Sequence, residues 1–305
     1  MVANLSLWND TFSKKGVVDF VEAVTNTKGG AFVPPSDRIA VFDNDGTLWV
    51  ERPTYIQALF AIHRLKQIAE NDPKLMNQPD YKAAATGDLD YFAKFLPPAS
   101  GDFKHLLKVI FDSHAGMPQD DFTQMAKTFL ETKKHPRFGR PLKELTYKPM
   151  VELVRYLGAN DFKVFIASAG GMSFVRSVSE EIYGIPRERV IGSNIAFETK
   201  MTADGPVLIR KQGLVDPIDD GVGKPVNIEL HIGHKPIMAA GNSDGDLPML
   251  WLAEKSGYRS LSLLVHHDDA EREYLYDTGS EKTLNMAAER GWIVVSIKND
   301  WKTIF

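Results

Sequence analysis

The apolar run Ile39-Ala40-Val41-Phe42 breaks without transition into Asp43-Asn44-Asp45-Gly46-Thr47-Leu48-Trp49. Read as a buried strand, this run places Asp43 and Asp45 where its carboxyl end opens, the usual ligand position in open α/β sheets. Two carboxylates at such a mouth can hold a divalent cation. They can also divide labour, one attacking as nucleophile while the other gives and takes a proton. The same residues make an ordinary acidic turn, since Asp and Gly are common turn formers.

Three later segments have related character. Val164-Phe165-Ile166-Ala167 ends in Ser168-Ala169-Gly170-Gly171, and Gly223-Lys224-Pro225-Val226 enters a helix through Pro225. Ile237-Met238-Ala239-Ala240 then runs into Gly241-Asn242-Ser243-Asp244-Gly245-Asp246. Singly, each is a common turn or a surface lysine. In this order the four segments resemble motifs I to IV of the haloacid dehalogenase superfamily, in its phosphoserine-phosphatase-like branch. The resemblance covers about Arg38 to Trp49 and about Tyr147 to Val265, and leaves out the segment between.

The resemblance implies a Rossmann-like parallel-sheet α/β core with an inserted α-helical cap, and a Mg²⁺-dependent phosphomonoester hydrolase. Asp43 would attack phosphorus in line to give an aspartyl-phosphate. Asp45 would protonate the leaving oxygen and then activate the hydrolytic water. A second Asp at this spacing favours a phosphatase over a dehalogenase, because a halide leaves without a proton. Ser168, with the amides of Ala169 and Gly170, would hold a phosphoryl oxygen. Lys224 would neutralise charge on phosphate and on Asp43.

By the same resemblance the Mg²⁺ ligands are Asp43, Asp45, Asn242 and Asp246, the last being in relatives either a ligand or a residue that orients one. Asn242 departs from the pattern, since relatives carry Asp there; its amide oxygen still suits a hard cation, with one negative charge fewer. Asp244 reads as a solvated loop carboxylate. Trp49 and Glu51 follow motif I where relatives have a flap. They are therefore substrate-contact candidates, with packing of Trp49 on the insert as the alternative. His266-His267-Asp268-Asp269 contains metal-ligating residue types, but adjacent side chains rarely point at one ion, and Asp268 or Asp269 can cap a helix. Arg176 faces either phosphate or solvent.

Composition narrows the partners. A net charge of −4 over 305 residues offers no basic footprint for nucleic acid. No apolar run approaches the ~18 residues of a membrane span. Cysteine is absent, which removes disulfides, thiolate metal sites and cysteine nucleophiles. The start Met1-Val2-Ala3-Asn4 opens no signal peptide, so the default expectation is cytoplasmic; a chain whose exporting segment had been replaced would read the same.

Apolar spacing predicts a helix from Lys14 to Val24 through Val17, Val18, Phe20, Val21 and Val24. Helical faces then recur through Ile56, Leu59, Phe60, Ile62, Leu65 and Ile68, through Phe103, Leu106, Leu107, Ile110 and Phe111, and through Phe122, Met125, Phe129 and Leu130. Loops at Pro73, Pro97-Pro98, Gly116 and Pro118 separate them. The expected division is a core of residues 1–50 and 147–305 with a helical cap of residues 51–146.

Within the core, helices are expected from Lys148, with Gly158 beyond its end, and from Met172 to Tyr183. A short strand is expected at Val190 to Ser193. A hairpin of Phe197–Lys200 and Val207–Arg210 should turn at Ala203-Asp204-Gly205-Pro206. Leu261 to Val265 and Ile293 to Ile297 are further strand candidates. A cap of this size favours a small phosphorylated metabolite as partner; the resemblance implies phosphoserine or a phospho-alcohol such as phosphocholine as candidates. A phosphotransferase using the same intermediate, or a non-catalytic binding protein on the same fold, are the alternatives. Nothing in the sequence sets the oligomeric state.

Overall fold

The computed structural model describes residues 5–95, 105, 109–111 and 113–305. Met1 to Asn4, Pro97-Pro98, Phe103, Leu106 and Leu107, all used in the sequence reading, lie outside the described residues. The chain divides into two compact units. The first comprises residues 5–50, 143–193 and 217–305 of the described chain; the second comprises 51–142 and 194–216, less the residues outside the description.

The first unit is built on a sheet whose central strand is β1 (Ile39–Phe42), with all four residues buried. Its neighbours β2 (Lys163–Gly171) and β5 (Met238–Gly241) both run parallel to it. Phe42 lies level with Ile166 and with Ala240, so the three strands release their following residues side by side. Outward on one side lies β3 (Val190–Thr202), parallel to β2, and on the other β6 (Leu261–Asp268), parallel to β5. β8 (Ile293–Ser296) pairs β6 in parallel, and the two-residue β7 (Leu275–Tyr276) pairs its far end antiparallel. A parallel sheet needs both faces covered, which is why β1 reads as an unbroken apolar run.

α1 (Phe12–Thr25) buries Val17, Phe20, Val21 and Val24 and packs by β8; Val18 is only half-buried. Strand residues Ile39, Val41, Ala167, Ala239 and Leu264 share one core cluster with Met249 and Leu250 of a helix introduced below. The helix expected from Lys148 is α2 (Lys148–Ala159), which runs through Gly158 and ends at Asn160. The segment Met172 to Tyr183 is two short helices, α3 (Met172–Arg176) and α4 (Ser179–Tyr183), with the break at Ser177 and Val178. α5 (Gly223–Ile232) carries Lys224 in its first turn, followed by Pro225 as expected. α6 (Leu247–Ala253) and α7 (Glu281–Arg290) complete the cover.

The second unit contains α8 (Ile56–Asn71), α9 (Pro79–Thr86), α10 (Leu89–Ala93) and α11 (Gln119–Thr132). Ile56, Phe60, Ile62, Leu65, Ile110, Phe111, Phe122, Phe129 and Leu130 are buried, as the helical spacing predicts. Leu59, Ile68 and Met125 are half-buried.

One expectation needs correcting. The hairpin was placed in the core segment 147–305, yet residues 194–216 group with the second unit. There the outer part of β3 pairs antiparallel with β4 (Gly205–Val215) around the two-residue turn Ala203-Asp204. Arg210 of β4 accepts from the Gly116 amide at 2.7 Å and donates its own amide to Met117 at 3.0 Å. Its Nη1 donates to Gln119 Oε1 at 2.7 Å, and its guanidinium sits 3.6 Å from the centre of the Phe122 ring. These bonds join segments far apart in sequence, so no local pattern announces them. Among the described residues no helix is long and apolar enough to cross a membrane.

Candidate active site

Asp43 is the first residue past β1, and its amide donates to Ala240 of β5 at 2.8 Å. That bond carries the strand pairing one residue further and delivers the Asp43 carboxylate to the sheet edge, where it is 6% exposed. The chain then turns sharply. Thr47, Leu48 and Trp49 all direct their amides at the Asn44 carbonyl, and Gly46 takes φ +77°, which only glycine adopts without strain.

This turn brings Trp49 back over Asp45. The indole Nε1 donates to Asp45 Oδ1 at 2.8 Å, while the ring packs edge-on to Phe174 and tilted to Tyr183. Trp49 is 1% exposed and packs against Phe174 and Tyr183 beside Asp45. Glu51, the other flap candidate, is buried and belongs to the second unit.

Lys224 ties the strand ends together. Its Nζ donates to Asp43 Oδ1 at 2.7 Å, to the Ala167 carbonyl of β2 at 2.8 Å and to Asp246 Oδ1 at 2.6 Å. Three acceptors satisfy the three protons of an ammonium, so a lysine with 1% exposure is stably charged there. Burial alone pulls its pKa down; Asp246, Asp43 and Asp219 outweigh that and hold it above the usual lysine range.

Asp246 folds back over the turn after β5. Its Oδ2 accepts from the Asn242 amide at 2.9 Å, the Ser243 amide at 3.0 Å and Ser243 Oγ at 3.1 Å. Gly241 permits this, because a Cβ there would lie 2.4 Å from that of Asp246. With Oδ1 on Lys224 and Oδ2 on three donors, Asp246 is arranged to orient the lysine. The motif allows Asp246 as a ligand or as a residue that orients one, and both of its oxygens are engaged here by these donors. Asn242 is 5% exposed and accepts from Thr47 Oγ1 at 3.2 Å. Among the described residues no three His, Asp or Glu side chains are grouped to hold a metal ion.

Ser168 is fully buried beyond Ala167, and its Oγ accepts from the Gly170 amide at 3.1 Å. β2 continues through Ala169 and Gly170 with a register shift, so the expected strand end is instead an irregular strand. Ala169 is half-buried and its carbonyl accepts from Ser193 Oγ at 2.8 Å.

The charges are unbalanced: Asp43, Asp45 and Asp246 face one ammonium. Burial first, and then the neighbouring Asp246, push the Asp43 carboxyl well above its ordinary range against the pull of Lys224. Burial likewise raises Asp45, partly offset by the Trp49 hydrogen bond. Nearby Asp219 is fully buried, neither of its oxygens meets a hydrogen-bond donor among the described residues, and burial pushes it up to about 7.

Other candidates lie elsewhere. Asp244 accepts from Thr283 N and Oγ1, both at 2.9 Å, and so caps α7 instead of floating in solvent. Arg176 faces neither phosphate nor open solvent, since its Nη2 donates to the Val190 carbonyl at 3.0 Å. The His266 to Asp269 run turns to separate partners: His266 to Asp277, His267 to Gly46, Asp268 to Ser296 and Asp269 to Arg272. Sequence reasoning missed Tyr183, whose hydroxyl donates to Asn44 Oδ1 at 2.9 Å, and Thr47 on Asn242. The latter lies within motif I; the former carries no sequence signal.

The haloacid dehalogenase-like hydrolase pattern matches residues 40–250, more than half of the chain. A conserved protein of unknown function from Anaerococcus prevotii DSM 20548 shares the fold at TM-score 0.59 and 16% identity, covering 97% of this chain and 94% of its own. A protein of unknown function from Bordetella pertussis Tohama I aligns at TM-score 0.56 and 15% identity, over 85% and 98%. A phosphoserine phosphohydrolase-like protein from Francisella tularensis subsp. tularensis SCHU S4 aligns at TM-score 0.45 and 17% identity, over 85% and 94%. No curated protein matches the chain.

Proposed function

The chain belongs to the haloacid dehalogenase-like hydrolases, and from that premise we propose that it hydrolyses small phosphomonoesters through an aspartyl-phosphate on Asp43. The observation that carries the reading is Lys224, held on Asp43 Oδ1 at 2.7 Å at the joined ends of β1 and β2. The hydrogen bond orients the carboxylate, and among the described residues no hydrogen-bond donor meets its other oxygen, Oδ2.

In this reading Asp43 Oδ2 attacks phosphorus, and the bond from phosphorus to the ester oxygen breaks. Asp45 gives its proton to the departing oxygen, a task suited to a carboxyl raised by burial. Asp45 then takes a proton from water as that water attacks phosphorus and frees Asp43. Ser168, whose Oγ takes the Gly170 amide, would meet a phosphoryl oxygen together with the backbone at Ala169, while Lys224 offsets the charge gathered there.

The donor set fits Mg²⁺. Asp43, Asp45 and Asn242 offer oxygen to a cation, and the buried Asp43 and Asp246 with the half-buried Asp45 against one ammonium leave negative charge for it to balance. A bound Mg²⁺ would neutralise phosphoryl oxygens. Asp246 is reserved for Lys224 and the turn.

Asp43, Asp45, Ser168, Lys224, Asn242 and Asp246 all belong to the first unit. The test is Asp43→Asn, which keeps size and removes the attacking charge. Hydrolysis of 4-nitrophenyl phosphate should become undetectable with the circular dichroism spectrum unchanged. Turnover near that of the unaltered protein would refute Asp43 as nucleophile.

A further inference from the structure

A buried polar pair outside the four motifs reaches the turn that carries Asp45. His267 Nε2 lies 2.8 Å from the Gly46 carbonyl. That carbonyl can only accept, so Nε2 carries a proton and donates it. On the ring's other edge, Nδ1 lies 3.1 Å from Glu273 Oε2. Glu273 is itself held: Tyr147 donates its hydroxyl to Oε1 at 3.1 Å, and the Tyr274 amide donates to Oε2 at 2.6 Å. The His267 ring stacks on Tyr276 at 4.4 Å between centres with the planes 16° apart. His267 is 2% exposed and Glu273 0%.

The position of His267 follows from an extended strand. β6 continues past Val265 because β8 pairs it through His266 and β7 pairs His267 and Asp268. Alternation along the strand then sends His267 inward while His266 faces Asp277.

A buried histidine and glutamate are costly to desolvate, and a carboxylate–imidazole pair fixes ring orientation at that cost. Here the fixed ring is spent on one main-chain oxygen. Gly46 links two held peptides: the one that follows Asp45 donates its Gly46 amide to the Trp49 carbonyl at 2.8 Å, and the next, Gly46–Thr47, presents the carbonyl that His267 holds. Asp45 is thus set from two ends: Trp49 Nε1 holds its carboxylate, and His267 holds the turn one peptide beyond Gly46 N.

We propose that His267, backed by Glu273, is a positioning residue for the proton-transfer carboxylate Asp45. It clamps the Gly46 carbonyl and so sets where Asp45 meets the leaving oxygen. This rests on the phosphatase reading given above. Losing the clamp impairs leaving-group protonation selectively, because Asp43 is held independently by Lys224 and by the Ala240 carbonyl.

The test compares one alkyl phosphate, whose alkoxide departs only when protonated, with 4-nitrophenyl phosphate, whose phenolate departs unaided. Rates for both esters are measured in single turnover on the same preparation, so any inactive fraction cancels in their ratio. His267→Gln restores an N–H near the ε position, whereas His267→Asn offers one only near the δ position. With His267→Asn the alkyl-to-aryl rate ratio should fall about tenfold, part of the ~10²–10⁴ that positioned proton transfer supplies. With His267→Gln it should stay within about threefold of the unaltered protein.

Glu273→Gln, which keeps the packing, should lower the same ratio less, and it serves as the readout if His267→Asn does not fold. Asp45→Asn is the reference. If Asp45→Asn lowers the ratio while His267→Asn and Glu273→Gln leave it unchanged, the clamp is overturned and the function stands. If Asp45→Asn itself leaves the ratio unchanged, the acid–base reading falls and the clamp falls with it.

Discussion

Trp49 Nε1 sits 2.8 Å from Asp45 Oδ1, four residues earlier in the same turn. An N–H donor favours the ionised carboxylate and opposes the upward push of burial. Trp49→Phe keeps the ring against Phe174 and Tyr183 but deletes the donor. Asp45 should then hold its proton to higher pH. The alkaline limb of kcat/KM, where the acid loses its proton, should move upward. An unmoved limb in a pH profile would show that Asp45 is not the titrating acid.

The buried triad of Asp43, Lys224 and Asp246 makes a prediction about stability. Lys224→Met removes the shared cation and leaves two carboxylates facing each other, which should destabilise the protein by roughly 3–5 kcal/mol. Adding Asp246→Asn should recover part of that loss, because one stranded charge disappears. Urea denaturation of the two single variants and the double variant measures the coupling; strictly additive losses would contradict a shared cation.

Chelation by EDTA should abolish activity, and Mg²⁺ should restore it. Asn242→Asp should tighten Mg²⁺ binding through its added charge and Asn242→Ala should weaken it, as read by titration calorimetry. Asp246→Asn should leave Mg²⁺ affinity within about threefold, since its oxygens already serve Lys224 and the turn amides. A large loss of affinity in Asp246→Asn would return that residue to the coordination sphere.

Burial pushes Asp219 up to about 7, so the folded protein binds this proton more tightly than the unfolded chain does. The stability it contributes is fully present below the ordinary carboxylate range and is lost as pH rises through about 7. Asp219→Asn removes that dependence. Thermal unfolding across pH should show the variant gaining on the unaltered protein as pH rises toward neutrality, by a few kcal/mol at most above about pH 8. Parallel stability curves would mean that Asp219 is ionised with little cost.

The parts legible in the sequence are those with a local signal. The apolar run before Asp43 marked β1 because a strand buried on both faces needs no polar alternation. The order of the four motifs likewise points to Ser168, Lys224 and Asn242, which lie with Asp43 in one unit. What escaped depends on distant pairing. Asp246 has the composition of a ligand, and only the fold-back over Gly241 reveals its saturated oxygens. His267 joins the turn after β1 because β7 and β8 lengthen β6 beyond its apolar stretch, a consequence of sheet assembly that no periodicity encodes.

The grouping of residues 194–216 with 51–142 has a consequence for engineering. The second unit is connected to the first by four covalent crossings: after Val50, Leu142, Ser193 and Asp216. It is therefore not a single cassette. A graft that exchanges only 51–142 separates Arg210 from the Gly116 and Met117 backbone and from the Phe122 ring, stranding a guanidinium that burial has already pulled down to about 9. Exchanging the second unit intact requires moving both segments at once.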